Sequence, residues 1–168
     1  MESVLNILNG MKATGVVRDY AIGGAMAAYF YAEAVVTEDL DAFVLLSAEN
    51  GAIDILSPIY DFLRKHGAEP KREHLLVAGT LLQVIPTYDA LTEEAVAEAV
   101  GKTVGNIETH VMRVEHLIAI ALKTGRHKDK LRVQQLLEQS TVDADKLQDI
   151  IARHGLDSAW TRFKETSA

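Results

Sequence analysis

Two pairs of residues near the start of the chain have the types and the spacing that chemistry on a phosphate requires. Gly23 and Gly24 follow a short apolar run, and Asp39 and Asp41 lead into the apolar run 43–46. Carboxylates two residues apart on a strand point to the same face, where they can share one Mg²⁺ that leaves its other positions to water and substrate phosphate. Paired glycines let the backbone approach a phosphate at a helix start. Phosphoryl or nucleotidyl transfer needs this combination.

Each of these elements alone has a simpler explanation, because Asp is common at strand starts and in turns. The order strand, glycine pair, helix, Asp-x-Asp and strand is more specific, and it resembles the nucleotidyltransferase superfamily, the polymerase-beta-like fold. The resemblance implies that Asp39 and Asp41 hold the divalent metal ions, Mg²⁺ or Mn²⁺, that carry a nucleoside triphosphate. It places Gly23 and Gly24 at the phosphates. Many members have Ser where this chain has Gly24, so that hydroxyl contact is missing.

A second candidate constellation is a basic run in the last third of the chain. Its cations are Lys123, Arg126, Lys128, Lys130 and Arg132. Gly125 should end the apolar helix before it, and a cation in the last turn of a helix is favoured on structural grounds alone. The run is therefore also compatible with an ordinary solvated surface.

The same run is similar to a helical segment of the abortive-infection nucleotidyltransferase toxins. That similarity implies that Lys123 and Arg126 hold the triphosphate, together with Lys128 and Asp129. Where that group often has an acid three residues after Asp129, this chain has Arg132. We expect Lys130 and Arg132 to lie on the solvated face of the helix.

The third catalytic carboxylate of the superfamily is the part of the pattern that this chain lacks. The resemblance places it on a later strand, and the polar interior residue of the expected strand 80–85 is Gln83. A neutral amide can bind or orient a ligand but does not accept a proton at pH 7. Asp89 is expected to lie too far along the chain. A subgroup of uncharacterised prokaryotic nucleotidyltransferase-like proteins is similar in carrying Gln there, so the predicted catalytic residues are Asp39, Asp41 and Gln83.

Hydrophobic periodicity predicts an α+β fold: a small mixed sheet of about four strands with flanking helices, and a C-terminal helical subdomain. We expect a core over 1–112 and the helical subdomain over 113–168. Expected strands are 17–22, 39–46, 74–78 and 80–85, with an irregular strand within 103–112. Expected helices are 3–14, 25–32, 52–65, 91–100, 114–124, 128–139, 144–154 and 157–165.

Composition and charge exclude several classes of protein. The chain has no cysteine, hence neither disulfides nor thiolate metal sites, and its six histidines lack the spacing of a zinc site. It has no apolar run of membrane-spanning length and no basic leader at its start, so we expect a soluble, cytoplasmic protein. Residues 1–112 carry a net charge of −9 and residues 113–168 one of +2, which suits a polyanionic substrate and not duplex DNA.

The hypothesis is a metal-dependent nucleotidyltransferase that moves a nucleotidyl group from a nucleoside triphosphate to a hydroxyl of a protein, an RNA or a small molecule. An alternative is a catalytically lapsed nucleotide- or partner-binding module of the same fold, such as the antitoxin-like half of a two-protein system. A structural α+β domain with coincidental motifs is a third reading. The sequence leaves the acceptor, the nucleotide base and the oligomeric state open.

Overall fold

A mixed sheet organises the chain in the computed structural model, which describes residues 1–33, 37–47 and 56–167. Within these ranges the sheet has seven strands in the order β3-β4-β5-β2-β1-β7-β6. The strands are β1 (Val17–Ile22), β2 (Asp39–Leu46), β3 (Glu69–Lys71), β4 (His74–Val77), β5 (Thr80–Pro86), β6 (Val100–Val104) and β7 (Ile107–Val111). The helices are α1 (Glu2–Ala13), α2 (Gly24–Ala28), α3 (Ser57–Lys65), α4 (Ala90–Ala97), α5 (Val114–Thr124), α6 (His127–Gln139), α7 (Ala144–Arg153) and α8 (Asp157–Ser167).

The central strands set the direction of the sheet. β1 and β2 are antiparallel, while β2 pairs in parallel with β5 and β1 in parallel with β7. On β2 the buried residues include Leu40, Ala42 and Val44, and Asp39 and Asp41 alternate with them at half-buried positions. This alternation turns both aspartates toward the face opposite Leu40.

Helix α5 is the centre of the helical part of the chain. It is buried on most of its surface and packs against α4, α6, α7 and α8. It ends at Gly125, whose φ of +69° gives the left-handed C-cap that the sequence predicts. Because α6 starts directly after this cap, the basic run lies at the junction of α5 and α6.

The α+β prediction is confirmed, but the sheet is larger than expected. Two-residue turns explain the hairpins: Ala78 and Gly79 both have positive φ between β4 and β5, as expected for a tight hairpin. A second turn at 105–106 interrupts the predicted irregular strand 103–112, which contains β7 and only the last two residues of β6. The first residue of β6 lies in the expected helix 91–100. The short edge strand β3 was not predicted.

Three predicted helices differ from the observed bounds by three or more residues at one end. Helix α2 ends at Ala28 and α4 at Ala97, each earlier than expected. Helix α3 begins at Ser57, and the expected portion 52–55 lies outside the described residues. None of the helices in the described ranges combines the length and the apolar character that a membrane span requires.

Candidate active site

The candidate active site is an open cleft of about 820 Å³ between the sheet and the α5–α6 junction. Asp39 and Asp41 line it from β2, and Gln83 lines it from β5. In the parallel pairing of these strands Asp41 lies directly beside Gln83. The cleft therefore brings together the three residues predicted to be catalytic, with an amide where the third carboxylate was expected.

The glycine pair packs against β2 so closely that neither position has room for a side chain. A Cβ on Gly24 would lie 1.9 Å from Asp41 Oδ2, and one on Gly23 would lie 2.5 Å from the Phe43 ring. The Gly23 N–H also donates to the Asp41 carbonyl at 2.9 Å. Gly24 and Ala25 line the cleft, whereas Gly23 is buried against Phe43. The glycines thus set how near the start of α2 comes to the Asp41 carboxylate.

The two aspartates differ in their surroundings. Thr37 Oγ1 donates to Asp39 Oδ1 at 2.5 Å, and this hydrogen bond lowers the pKa of Asp39. His74 Nε2 lies 3.6 Å from Asp39 Oδ2. Burial, followed by repulsion from Asp39, raises the pKa of Asp41, as expected for two carboxylates on one face. No donor from the described residues hydrogen-bonds the Asp41 carboxylate, so its oxygens are available to a cation.

The basic run forms the opposite wall of the cleft. Lys123, Arg126 and Lys128 all line it, although more than eighty residues separate them from Asp39 and Asp41 in sequence. Asp89 also lines the cleft, contrary to our expectation that it lies too far away. Its carboxylate accepts from Thr92 N at 2.9 Å and pairs with Lys123 Nζ at 3.1 Å, so it caps α4 and anchors the lysine.

The expectation that Arg132 lies on the solvated face is wrong. The side chain is 12% exposed, lines the cleft and donates from Nη1 to Asp129 Oδ1 at 3.3 Å. Asp129 is 1% exposed and also accepts from Arg126 Nε at 2.6 Å. Residues three apart share one side of a helix, so a buried Asp129 holds both arginines on the cleft side. Lys130 is exposed, as expected.

Comparison with solved structures identifies the fold. The solution structure of the antibiotic-resistance factor ANT(2'')-Ia matches with a TM-score of 0.55 at 14% identity, covering 100% of both chains. The crystal structure of ANT(2'')-Ia in complex with adenylyl-2''-tobramycin matches with a TM-score of 0.54 at 13% identity, covering 98% of this chain and 97% of that one. An antigenic nucleotidyltransferase-like protein from Paracoccidioides brasiliensis gives 0.54 at 16%, covering 94% and 90%.

The chain has the nucleotidyltransferase fold. No protein-family profile and no curated protein matches its sequence. At these identities the likeness establishes the fold, and the chemistry has to be argued from the residues of this chain.

Besides Asp89 and Arg132, which were expected elsewhere, the sequence analysis assigned no role to two residues at this site. One is His74. The turn at 78–79 fixes the pairing of Leu75 with Leu82. Continuing this register by one residue brings His74 opposite Gln83, so the hairpin register could have predicted its position. Tyr88 is the other: it lines the cleft with 78% of its surface exposed. The cleft also has apolar lining residues, Phe43, Ile85, Met112, Leu117 and Ile120.

A second cluster of acidic residues and histidine lies outside the cleft lining. Possible ligand atoms of Glu94, Glu98 and His116 lie within 4.8 Å of one another. Glu94, however, already accepts from Arg153 Nη1 at 2.6 Å and from His116 Nε2 and His154 Nε2 at 3.0 Å each. These hydrogen bonds, led by that of Arg153, lower the pKa of Glu94. The cluster therefore ties α4, α5 and α7 together as an ion-pair network.

Proposed function

We propose that the protein is a metal-dependent nucleotidyltransferase that transfers a nucleotidyl group from a nucleoside triphosphate to a hydroxyl of a protein, an RNA or a small molecule. The observation that carries the proposal is the shared cleft, in which Asp39 and Asp41 face the cations Lys123, Arg126 and Lys128. In this proposal residues 1–112 supply the metal-binding side and residues 113–168 the phosphate-binding side.

The residues present fit a hard divalent cation. Asp39 and Asp41 offer carboxylate oxygens, and Gln83, which pairs with Asp41 in the sheet and lines the same cleft, carries an amide oxygen. Oxygen donors of this kind suit Mg²⁺ or Mn²⁺, and a site with two carboxylates leaves positions for substrate phosphate. When bound, the metal would offset negative charge on the triphosphate.

The phosphate side of the cleft is oriented before any ligand binds. Lys123 pairs with Asp89 at 3.1 Å and Arg126 with Asp129 at 2.6 Å, so each cation has a partner that directs it along the cleft wall. Charge that is already oriented toward a reacting phosphate stabilises the transition state without reorganisation. Gly24, with no side chain, leaves its part of the cleft open to a phosphate, and the apolar lining suits the nucleobase.

The proposed transfer balances as a simple displacement. The acceptor hydroxyl oxygen forms a bond to the α-phosphorus, and the bond from the α-phosphorus to the oxygen bridging it to the β-phosphorus breaks. Pyrophosphate leaves with the electron pair, and the proton of the hydroxyl passes to solvent. The chain contributes chiefly by position and charge, as in phosphoryl transfer generally.

Titration calorimetry with Mn²⁺ and label transfer test the proposal together. The wild-type protein should bind Mn²⁺ and transfer label from one of the four α-labelled triphosphates to a component of a total RNA and protein extract. Both signals should be lost in Asp39→Asn/Asp41→Asn. Asp61→Asn is a matched control, because Asp61 is exposed on α3 and pairs there with Arg64. Undiminished Mn²⁺ binding in the double variant would exclude the metal site.

One observation favours the alternative of a catalytically lapsed module. Gln83 lies beside Asp41 at the place where a third carboxylate would complete the site. A protein that binds Mn²⁺ and a triphosphate in the same cleft but transfers no label would be such a module, binding a nucleotide or a partner protein as half of a two-protein system.

A further inference from the structure

Arg132 is the least exposed of the four basic residues that line the cleft. Its side chain is 12% exposed, compared with 48% for Lys123 and 57% for Arg126, and Lys128 is exposed as well. A charged side chain is seldom buried to this extent without a reason beyond solubility. Its depth places it on the inner side of the basic wall.

The hydrogen bonds of Arg132 leave most of its capacity unused. The guanidinium carries five N–H groups, and among the described residues it donates from Nη1 to Asp129 Oδ1 at 3.3 Å. Among the described residues its Nε, which is buried, has no hydrogen-bond partner. Buried donors are almost always paired, so the protein alone does not satisfy this guanidinium, and the Nη1 and Nη2 N–H groups that Asp129 does not occupy remain for a ligand in the cleft.

Arg132 also shares the cleft with the candidate metal-binding carboxylate. Asp41 lines the cleft from β2 and Arg132 lines it from α6. The guanidinium and the carboxylate therefore face the same space. A phosphate bound to a cation on Asp41 would lie within the field of Arg132.

Asp129 determines how both arginines are presented. It is 1% exposed, and its carboxylate accepts from Arg126 Nε at 2.6 Å, from Arg126 Nη2 at 3.2 Å and from Arg132 Nη1 at 3.3 Å. One buried carboxylate between two guanidiniums leaves the group with a net charge of +1. The Asp129 carboxylate also holds both guanidinium groups on one side of α6 near its N-terminus.

We propose that Arg132 is the inner phosphate-binding residue of the cleft and that Asp129 is the positioning residue that orients Arg132 and Arg126. The proposal rests on the proposed function, since the ligand is the nucleoside triphosphate. The phosphate nearest the cation on Asp39 and Asp41 contacts Arg132, while the outer phosphates contact Arg126 and Lys123.

Arg132→Gln and Lys130→Gln form a matched pair for the test, because each removes one positive charge from α6. Calorimetric titration with each of the four nucleoside triphosphates in Mn²⁺ should give a dissociation constant roughly 10- to 100-fold higher in Arg132→Gln, the range for lost hydrogen bonds to charged groups. Lys130→Gln should bind like the wild type. Equal affinities for Arg132→Gln and Lys130→Gln would overturn the proposal.

Two further measurements distinguish a failure of the role of Arg132 from a failure of the proposed function and from misfolding of the variant. If the wild type binds no triphosphate, the proposed function fails; if it binds and Arg132→Gln binds equally well, the role of Arg132 alone fails. Arg132→Lys keeps the charge without the planar fork, so its affinity should lie between those of the wild type and Arg132→Gln. If Arg132→Lys and Arg132→Gln bind the triphosphate with equal affinity while circular dichroism shows that both are folded, the positive charge at position 132 does not contribute to binding. That result would exclude the proposed phosphate contact.

The role of Asp129 is tested by a double-mutant cycle. Asp129→Asn should weaken triphosphate binding, because Asn accepts fewer hydrogen bonds from the two guanidiniums. If Asp129 acts by positioning Arg132, the effect of Asp129→Asn should be clearly smaller in the Arg132→Gln background. Additive effects would show that Asp129 supports the fold alone.

Discussion

Replacing Gly24 by Ala tests whether the glycine pair and Asp41, the proposed metal-binding carboxylate, form one packed unit. Gly24 has φ of +60°, and a Cβ there would lie 1.9 Å from Asp41 Oδ2, where ordinary contacts begin at 3.4 Å. Either the Asp41 side chain has to leave its rotamer or the start of α2 has to move away from β2. Both changes alter the position of the Asp41 carboxylate in the cleft.

The cost can be worked from two contributions. A left-handed backbone costs a residue with a Cβ about 1–2 kcal/mol, and displacing a side chain from its rotamer costs about 0.5–1.5 kcal/mol more. Gly15→Ala is the matched control: Gly15 has φ of +74° and nothing within 4 Å of a built Cβ, so it carries the first contribution alone. The free energy of unfolding should therefore fall by roughly 1.5–3.5 kcal/mol in Gly24→Ala and by about 1–2 kcal/mol in Gly15→Ala.

Urea unfolding without metal and calorimetric titration with Mn²⁺ measure the two consequences. Gly24→Ala should bind Mn²⁺ at least tenfold more weakly than the wild type, because the Asp41 carboxylate is displaced, whereas Gly15→Ala should bind normally. Equal losses of stability in the two variants, together with unchanged Mn²⁺ affinity in Gly24→Ala, would refute the close approach of the glycine to Asp41.

Three further predictions follow from the charged groups. Gln83→Asp adds a third carboxylate beside Asp41. Because like charges repel, the free energy of unfolding of the metal-free protein, measured with urea, should fall by about 0.5–1 kcal/mol. The Mn²⁺ affinity measured by calorimetry should rise, and an unchanged affinity would contradict this prediction. Glu94→Gln leaves the fully buried His116 and the Arg153 fork poorly paired, so urea unfolding should show a loss of about 1–3 kcal/mol. Burial lowers the pKa of His116, so its contribution to stability is present above its ordinary pKa of 6.5 and is lost as pH falls through the lowered value. The midpoint temperature of thermal unfolding between pH 7.5 and 5 should therefore depend less on pH in His116→Gln than in the wild type. The same pH dependence in both proteins would contradict this prediction.

The residues found from sequence belong to short-range patterns. Asp39 and Asp41 follow the two-residue period of a strand, and the glycine pair directly follows β1. Such patterns are visible because local backbone geometry alone decides which face a side chain takes. The meeting of these residues with Lys123 and Arg126 was expected only through the resemblance, since nothing local in the sequence specifies it.

The positions of the residues that sequence analysis missed depend on contacts with residues in other parts of the fold, which the sequence does not show. Arg132 lies in a run of cations typical of a solvated surface, and the burial of Asp129 on the same side of the helix reverses that expectation. Strand β3 (Glu69–Lys71) is exposed at every position and is held in the sheet by its pairing with β4. An edge strand of this kind has no hydrophobic alternation by which to find it.

The two walls of the cleft differ in how their charged side chains are paired. On the helical wall Lys123 is paired with Asp89, and Arg126 is paired with Asp129. On β2 the Asp41 carboxylate has no hydrogen-bond donor among the described residues, and its burial beside Asp39 works against its ionised form. Under the proposed function, a cation would relieve that repulsion, and the phosphates that the cation attracts would meet Lys123 and Arg126. Metal and triphosphate would then bind together more tightly than either binds alone.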